Sequence, residues 1–221
     1  MSKLTWDNTG EKWYETGVQK GVVYPIDSSK GTYPKGTAWN GLTTVEESPD
    51  GGDANDIYAD NIKYGSIRAT ENYKGSISAY EYPDEVAILD GTASVATGVY
   101  IGQQTRGVFG LCYRTEISND IGAEQYVLTL VWGATISPSE RSYDTINDSP
   151  DAIEFSWDFE TDPVSIAVTG LTLEPSASID IDSRYADASK LAALEAVLYG
   201  SDSADARLPL PSEVITMMAA G

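Results

Sequence analysis

Histidine is absent from the 221 residues, and cysteine occurs once, as Cys112. Without an imidazole, histidine-dependent triads and dyads are excluded, as are zinc sites built on histidine or on several thiolates. A single cysteine forms no internal disulfide, which predicts assembly in a reducing cytoplasm. Lysine and arginine are scarce, 14 against 34 Asp and Glu, for a formal charge of −20. So few bases disfavour tight phosphate binding, because affinity for nucleic acid comes largely from cations that displace counterions. No apolar run reaches the roughly 18 residues of a membrane span, so insertion into a bilayer is not expected. The start, Met1-Ser2-Lys3-Leu4-Thr5-Trp6-Asp7, holds no apolar h-region, and no secretory signal is predicted. Gly-x-Ser-x-Gly, Gly-x-Gly-x-x-Gly and Gly-x-x-x-x-Gly-Lys are also missing.

What is present argues for a packed core. Hydrophobic residues make up 41%, with 14 Tyr, 5 Trp and 3 Phe, in a length that suits one domain spanning residues 1–221. Charge is unevenly placed. Residues 1–35 hold five Lys and four acids; residues 115–221 hold four bases and nineteen acids. That asymmetry suits an N-terminal segment packing on the acidic body of a neighbour.

The dominant period is two. In Ala152–Glu160, Ile153, Phe155, Trp157 and Phe159 share one face while Glu154, Ser156, Asp158 and Glu160 share the other, predicting a half-buried strand with an acidic exterior. From Gln125 to Ile136 both parities are apolar, which predicts a strand covered on both sides. Further strands are expected at 74–82, 95–103, 108–115 and 164–168, separated by glycine and proline. One helix is expected over 187–199, with Leu191, Leu194 and Leu198 as its stripe, Asp187 as N-cap and Gly200 beyond its end. Leu208-Pro209-Leu210-Pro211 reads as extended, and Ser212 as the cap of a short final helix. Residues 26–41 and 46–61 read as long loops, the second with six acids and no base. The predicted class is mainly β, a sandwich or barrel-like fold with one flanking helix and long loops or arms.

Three constellations offer chemistry. Glu154 and Asp158 beside Trp157 allow a glycosidase-like carboxylate pair, although their alternation is that of solvated positions. Asp50, Asp53, Asp56 and Asp60 suggest calcium but lack the spacing and terminal Glu of a helix–loop–helix site, which favours a solvated or partner-facing acidic loop. Cys112, between Leu111 and Tyr113, reads as a small buried residue with no base to activate it. Gln103, Gln104 and Arg106 are polar residues between apolar strands that either line an interface or face solvent. An enzyme with paired carboxylates, most naturally carbohydrate-active, and a lectin-like sandwich are the competing classes at this point.

Several stretches then occur in a characteristic order. They are Tyr58-Ala59-Asp60-Asn61-Ile62-Lys63-Tyr64, Ala79-Tyr80-Glu81-Tyr82-Pro83-Asp84-Glu85, Gly102-Gln103-Gln104-Thr105-Arg106 and Phe109-Gly110-Leu111-Cys112-Tyr113-Arg114-Thr115. After these come Ser137-Pro138-Ser139-Glu140, Ile146-Asn147-Asp148-Ser149-Pro150, Leu198-Tyr199-Gly200 and Leu208-Pro209-Leu210-Pro211-Ser212-Glu213-Val214. From about Val22 to Val214 the ordered set resembles the major tail proteins, or tail tube proteins, of siphophages. Ile117-Ser118-Asn119-Asp120 departs from that pattern, with Ser118 where relatives have glycine.

The resemblance implies a structural virion protein with no catalytic, metal or cofactor site. Its subunits would join side by side into hexameric rings that stack into a tube, a conduit for genome delivery. Self-association is the main partnership it implies. The tape measure protein would fill the lumen, terminator and distal tail proteins would meet the tube ends, and double-stranded DNA would pass without sticking. Assembly in the host cytoplasm and residence in the phage tail follow from the same likeness. Under it, 46–61 becomes a ring-stacking loop with Glu46, Glu47, Asp50, Asp53, Asp56, Tyr58 and Asp60 as candidate contacts. Gln103, Gln104 and Arg106 become candidate contacts within a ring, and residues 1–20 and 208–221 candidate arms.

Overall fold

The computed structural model describes residues 4–51, 54–68, 71–138, 142, 143, 145 and 152–219. It is mainly β. Strands β1 (Trp13–Pro25), β2 (Thr37–Trp39), β3 (Leu42–Glu47), β6 (Lys74–Ala79), β9 (Val108–Asn119), β10 (Glu124–Pro138) and β11 (Phe155–Thr161) form one antiparallel path in the order β2-β1-β9-β10-β11-β6-β3. β12 (Ser178–Asp182) adds to β10 off that path. Two hairpins stand apart, β4 (Ala54–Ala59) with β5 (Ile62–Arg68), and β7 (Ala93–Ala96) with β8 (Val99–Ile101). The helices are α1 (Asp84–Leu89), α2 (Ala188–Tyr199) and α3 (Pro211–Ala219).

The two end strands of the path, β2 and β3, are consecutive in the chain and joined through Asn40 and Gly41. The sheet therefore curls back on itself and is closed by covalent bonds where hydrogen bonds stop. Gly41 supplies the left-handed conformation of the corner, at φ 72°. Leu42 of β3 lies against Gly21 of β1, where even a Cβ would come within 2.2 Å of its Cδ1. Inside, Val23, Trp39, Ile77, Phe109, Leu111, Tyr113, Val131, Ile136, Trp157 and Phe159 form one buried cluster, with Val86 and Leu89 of α1. Trp39 meets Trp157 edge to face at 5.4 Å and donates its indole N–H to the Glu81 carbonyl at 3.0 Å.

β10 carries apolar residues on both parities because both of its faces are covered. Leu128, Leu130 and Trp132 face a second cluster, formed with Leu191, Leu194 and Leu198 of α2, Val214 of α3, Leu208 and Tyr33. At Gly133 the pairing with β9 slips, and beyond the bulge Ala134 and Ile136 point into the barrel instead. One extra residue in a period of two moves the even positions to the other face. The same bulge lets β10 change partners, from β12 at Val127–Val131 to β11 at Ala134–Pro138. α2 forms where expected, its N-terminal amides of Ser189 and Lys190 bonded to the Asp187 carboxylate at 2.9 and 3.0 Å.

A buried ion pair fastens α2 to the sheet. Arg114 of β9, 8% exposed, donates to Glu195, which also accepts from the Tyr126 hydroxyl at 2.7 Å. The guanidinium stacks on the Tyr126 ring at 3.8 Å. Glu195→Ala would leave that cation buried and unpaired, and is expected to cost about 3 kcal/mol, read by denaturant unfolding. A cost below about 1 kcal/mol would mean the cation-π stack suffices.

Several expectations are corrected. The short α1 is an addition, while the expected final helix forms as α3 and begins at Pro211, so that Ser212 lies within it and does not cap it. Residues 95–103 are no single strand; Gly98, at φ 76°, splits them into β7 and β8. Residues 164–168 make only isolated bridges, Val164 with Ser176 and Val168 with Leu171. In the expected loop 26–41, Thr37–Trp39 is β2 and Tyr33 bridges Leu208. Of the N-terminal arm, residues 13–20 belong to β1 and pair with β9. Of the C-terminal arm, Leu208 and Val214 are buried on the chain's own sheet, because the outer faces of β9 and β10 need that cover.

Candidate assembly surfaces

The barrel has two unlike exteriors. Over β9, β12 and the first half of β10 lie α2 and α3. Over β3, β6, β11 and the end of β10 lies no other element among the described residues. Interior positions there are Val45, Ile77, Trp157, Phe159 and Ile136, so the alternate residues point outward. Cross-strand registry sets them in rows: Ser137, Asp158, Ser76 and Glu46; Thr135, Glu160 and Lys74; Ser156, Ser78 and Thr44. The expected acidic face of β11 thus continues across its neighbours as a field of hydroxyls and carboxylates. Lys74 is the one base in these rows, and Asp50 holds its ammonium at 2.9 Å.

The segment expected as an acidic loop at 46–61 has a different form. Glu46 and Glu47 end β3, Glu47 accepting a hydrogen bond from the buried Tyr113 hydroxyl. A bridge between Asp50 and Asn72 roots the β4–β5 hairpin. Asp56 lies on β4 and pairs with Lys63 at 2.7 Å, and Asp60 sits at the tip. Asp53 lies outside the described residues. The acids are therefore spread over root, strand and tip, and no metal-binding group of three His, Cys, Asp or Glu exists among the described residues. Asp60 and Asn61 turn the chain with φ of 51° and 61°, the mirror-image turn that suits a twisted hairpin and that Asp and Asn tolerate.

What the acid count hid is apolar. Ile57, Tyr58, Ile62, Tyr64 and Ile67 are 41%, 68%, 64%, 77% and 60% exposed. Residues 54–68 carry Asp56 and Asp60 against Lys63 and Arg68, so this hairpin is neutral in a chain of −20. Tyr58 and Asp60, among the contacts expected from sequence, are joined here by Ile57, Ile62, Tyr64 and Ile67, which their exposure identifies.

The second hairpin was missed. Val95, Val99, Tyr100 and Ile101 are exposed, with Ile88 of α1 nearby in sequence. Gln103, Gln104 and Arg106 follow β8 directly and are exposed. Gln104 returns to the root, donating its backbone N–H to the Gly91 carbonyl at 2.8 Å, while the Gly107 amide reaches Leu89. Residues 91–107 contain no acid, and Arg106 is their only charge.

A groove of about 500 Å³ between β1 and the β2–β3 corner is lined by Val18–Val22, Ala38–Leu42 and Tyr199 and holds no carboxylate, whereas grooves of about 380 and 390 Å³ are lined by Glu46, Asp158 and Glu160 and by Glu71, Glu160 and Asp162. Glu154 is tied to Thr43, Asp158 lies on the open face, and Trp157 is buried in the barrel, out of reach of a sugar. Burial pushes the Cys112 thiol up to about 12, far from the thiolate a nucleophile needs. Among the described residues no helix is long and apolar enough to cross a membrane. The chain matches no protein-family model, and no curated protein matches it significantly.

Proposed function

We propose that the chain is a structural subunit of a phage tail tube, polymerising as stacked hexameric rings into a hollow conduit for double-stranded DNA. The observation that carries this reading is the β4–β5 hairpin, a neutral, apolar, isolated two-stranded sheet on a strongly acidic body. Two strands alone are marginal in water, and five exposed apolar side chains favour cover by another surface. The neutral charge makes this one of the few places where copies of a −20 molecule approach without repulsion. The sequence resemblance supports the same reading, with the tape measure, terminator and distal tail proteins as partners and the virion as its place.

In this reading the uncovered face of β3, β6 and β11 is the tube wall. Asp158, Glu160 and Glu46 repel phosphate, and within about 8 Å of the wall salt screens that repulsion poorly. Serine and threonine between them offer no fixed cation, so DNA slides without stalling. Electron microscopy of the purified protein tests the assembly: rings or tubes with a central hole support it, and dispersed monomers at high concentration refute it. The wall has its own test. Asp158→Lys with Glu160→Lys is expected to slow genome delivery severalfold while tubes still form; unchanged delivery would remove the electrostatic part of the proposal.

A further inference from the structure

Building on the polymer reading above, we propose that the β4–β5 hairpin of one subunit docks on the β7–β8 hairpin of a second copy, tip to root, with Asp60 of the first against Arg106 of the second.

The argument starts from where the two hairpins leave the barrel. β4–β5 is rooted at the start of β6, where Asp50 bridges Asn72 and the Ser48 amide reaches the Lys74 carbonyl. β7–β8 is rooted beyond the other end of β6, on α1, where Gly91 accepts from Gln104 and Leu89 from Gly107. Along the chain, β6, residues 80–83 and α1 lie between the two roots. Each hairpin pairs only with itself, and each exposes large apolar residues. Apart from the main sheet and apolar, each offers the other a surface to cover between copies.

Charge selects the same partner. Most exposed surface of a second copy is acidic, whereas β4–β5 is neutral and residues 91–107 are positive through Arg106 alone. Asp60 is an exposed acid at the tip of the first hairpin, and neither it nor Arg106 forms an ion pair with another described residue. A contact between two different surfaces is heterologous, so it repeats from copy to copy instead of stopping at a dimer.

A charge exchange tests this. Asp60→Lys alone sets an ammonium against the Arg106 guanidinium, and Arg106→Glu alone sets a second carboxylate against Asp60. Each is expected to raise the critical concentration for polymerisation about tenfold or more, at unchanged melting temperature. Mixed together, the two variants offer complementary pairs in both directions and are expected to polymerise as the wild type does. So is the double variant. Singles that polymerise normally, or a mixture no better than its parts, would overturn the proposal.

A second measurement is independent of the charges. Val99→Cys places a reactive thiol on β8, while the buried Cys112 stays silent. Its alkylation is expected to slow at least tenfold on polymerisation; an equal rate in polymer and subunit would overturn the contact. Protection at Val99→Cys without rescue in the mixture would assign β8 to another surface of the neighbour and likewise overturn the hairpin-to-hairpin pairing. If the wild type forms no polymer, the tail tube reading fails with it. If the wild type polymerises and the exchange fails, only this contact falls.

Discussion

Serine in place of both Tyr58 and Tyr64 is expected to leave the subunit folded and to prevent the proposed polymerisation. Both rings stand in solvent, 68% and 77% exposed, on a hairpin that contributes to neither buried cluster. Their loss therefore removes nothing from the barrel, and the melting temperature is expected to move by no more than a degree or two. In a polymer contact each ring would gain roughly 1.5–3 kcal/mol from leaving water. Two of them correspond to at least about a hundredfold in the critical concentration, since about 1.4 kcal/mol is a factor of ten. Sedimentation across a concentration series reads this directly. Tubes at the wild-type threshold would show that the hairpin plays no part in assembly.

The second large effect lies in the barrel. Gly133→Ala is expected to lower stability by about 3 kcal/mol or more, the sum of a strained conformation and a steric conflict. Gly133 sits at φ 66°, and a Cβ there would come within 2.3 Å of the Asp162 carbonyl oxygen. That oxygen belongs to backbone and has no flexible end to move aside. The Gly133 amide also donates to the Tyr33 hydroxyl at 3.0 Å, and its carbonyl accepts from the Asp162 amide at 3.0 Å, so a shift disturbs both faces of the sheet. At about 2–4 °C per kcal/mol for a chain of this size, the melting point falls by about 10 °C. Gly98→Ala is the control. It has a similar φ of 76° but open space around it, so its cost is near 1 kcal/mol.

The parts of this fold written locally were legible in sequence. β10 shows its two covered faces through apolar residues on both parities, and α2 shows itself through three leucines and an aspartate cap. Phe155, Trp157 and Phe159 identify an inward face because nothing interrupts their alternation. The bulge at Gly133 was not legible, since a change of face depends on which strand pairs opposite. The β4–β5 hairpin was obscured because Asp50 to Asp60 dominate the composition, and because Asp60-Asn61 is a less familiar turn than Asn-Gly. Residues 95–103 look like one strand in sequence, and only the left-handed turn at Gly98 folds them in two. Residues 208–214 read as an arm because proline breaks their periodicity, whereas the exposed back of β9 and β10 gives Leu208 and Val214 a place to bury. The acidic outer face was half visible, as Asp158 and Glu160 on one strand; Ser76, Glu46 and Thr135 join it only through registry.

The covalent closure at Asn40 and Gly41 also orders events in time. β1 must await β9 and β10, with Trp13 opposite Asn119, so the barrel cannot close until well over half the chain has left the ribosome. The β4–β5 hairpin needs no such delay, since its strands are joined by a two-residue turn and hairpins form in about 1–10 μs. Its two strands are therefore both present on the nascent chain before the body that carries them is complete. The acidic residues concentrated in 115–221 emerge only after the hairpin, so their repulsion separates finished chains rather than nascent ones.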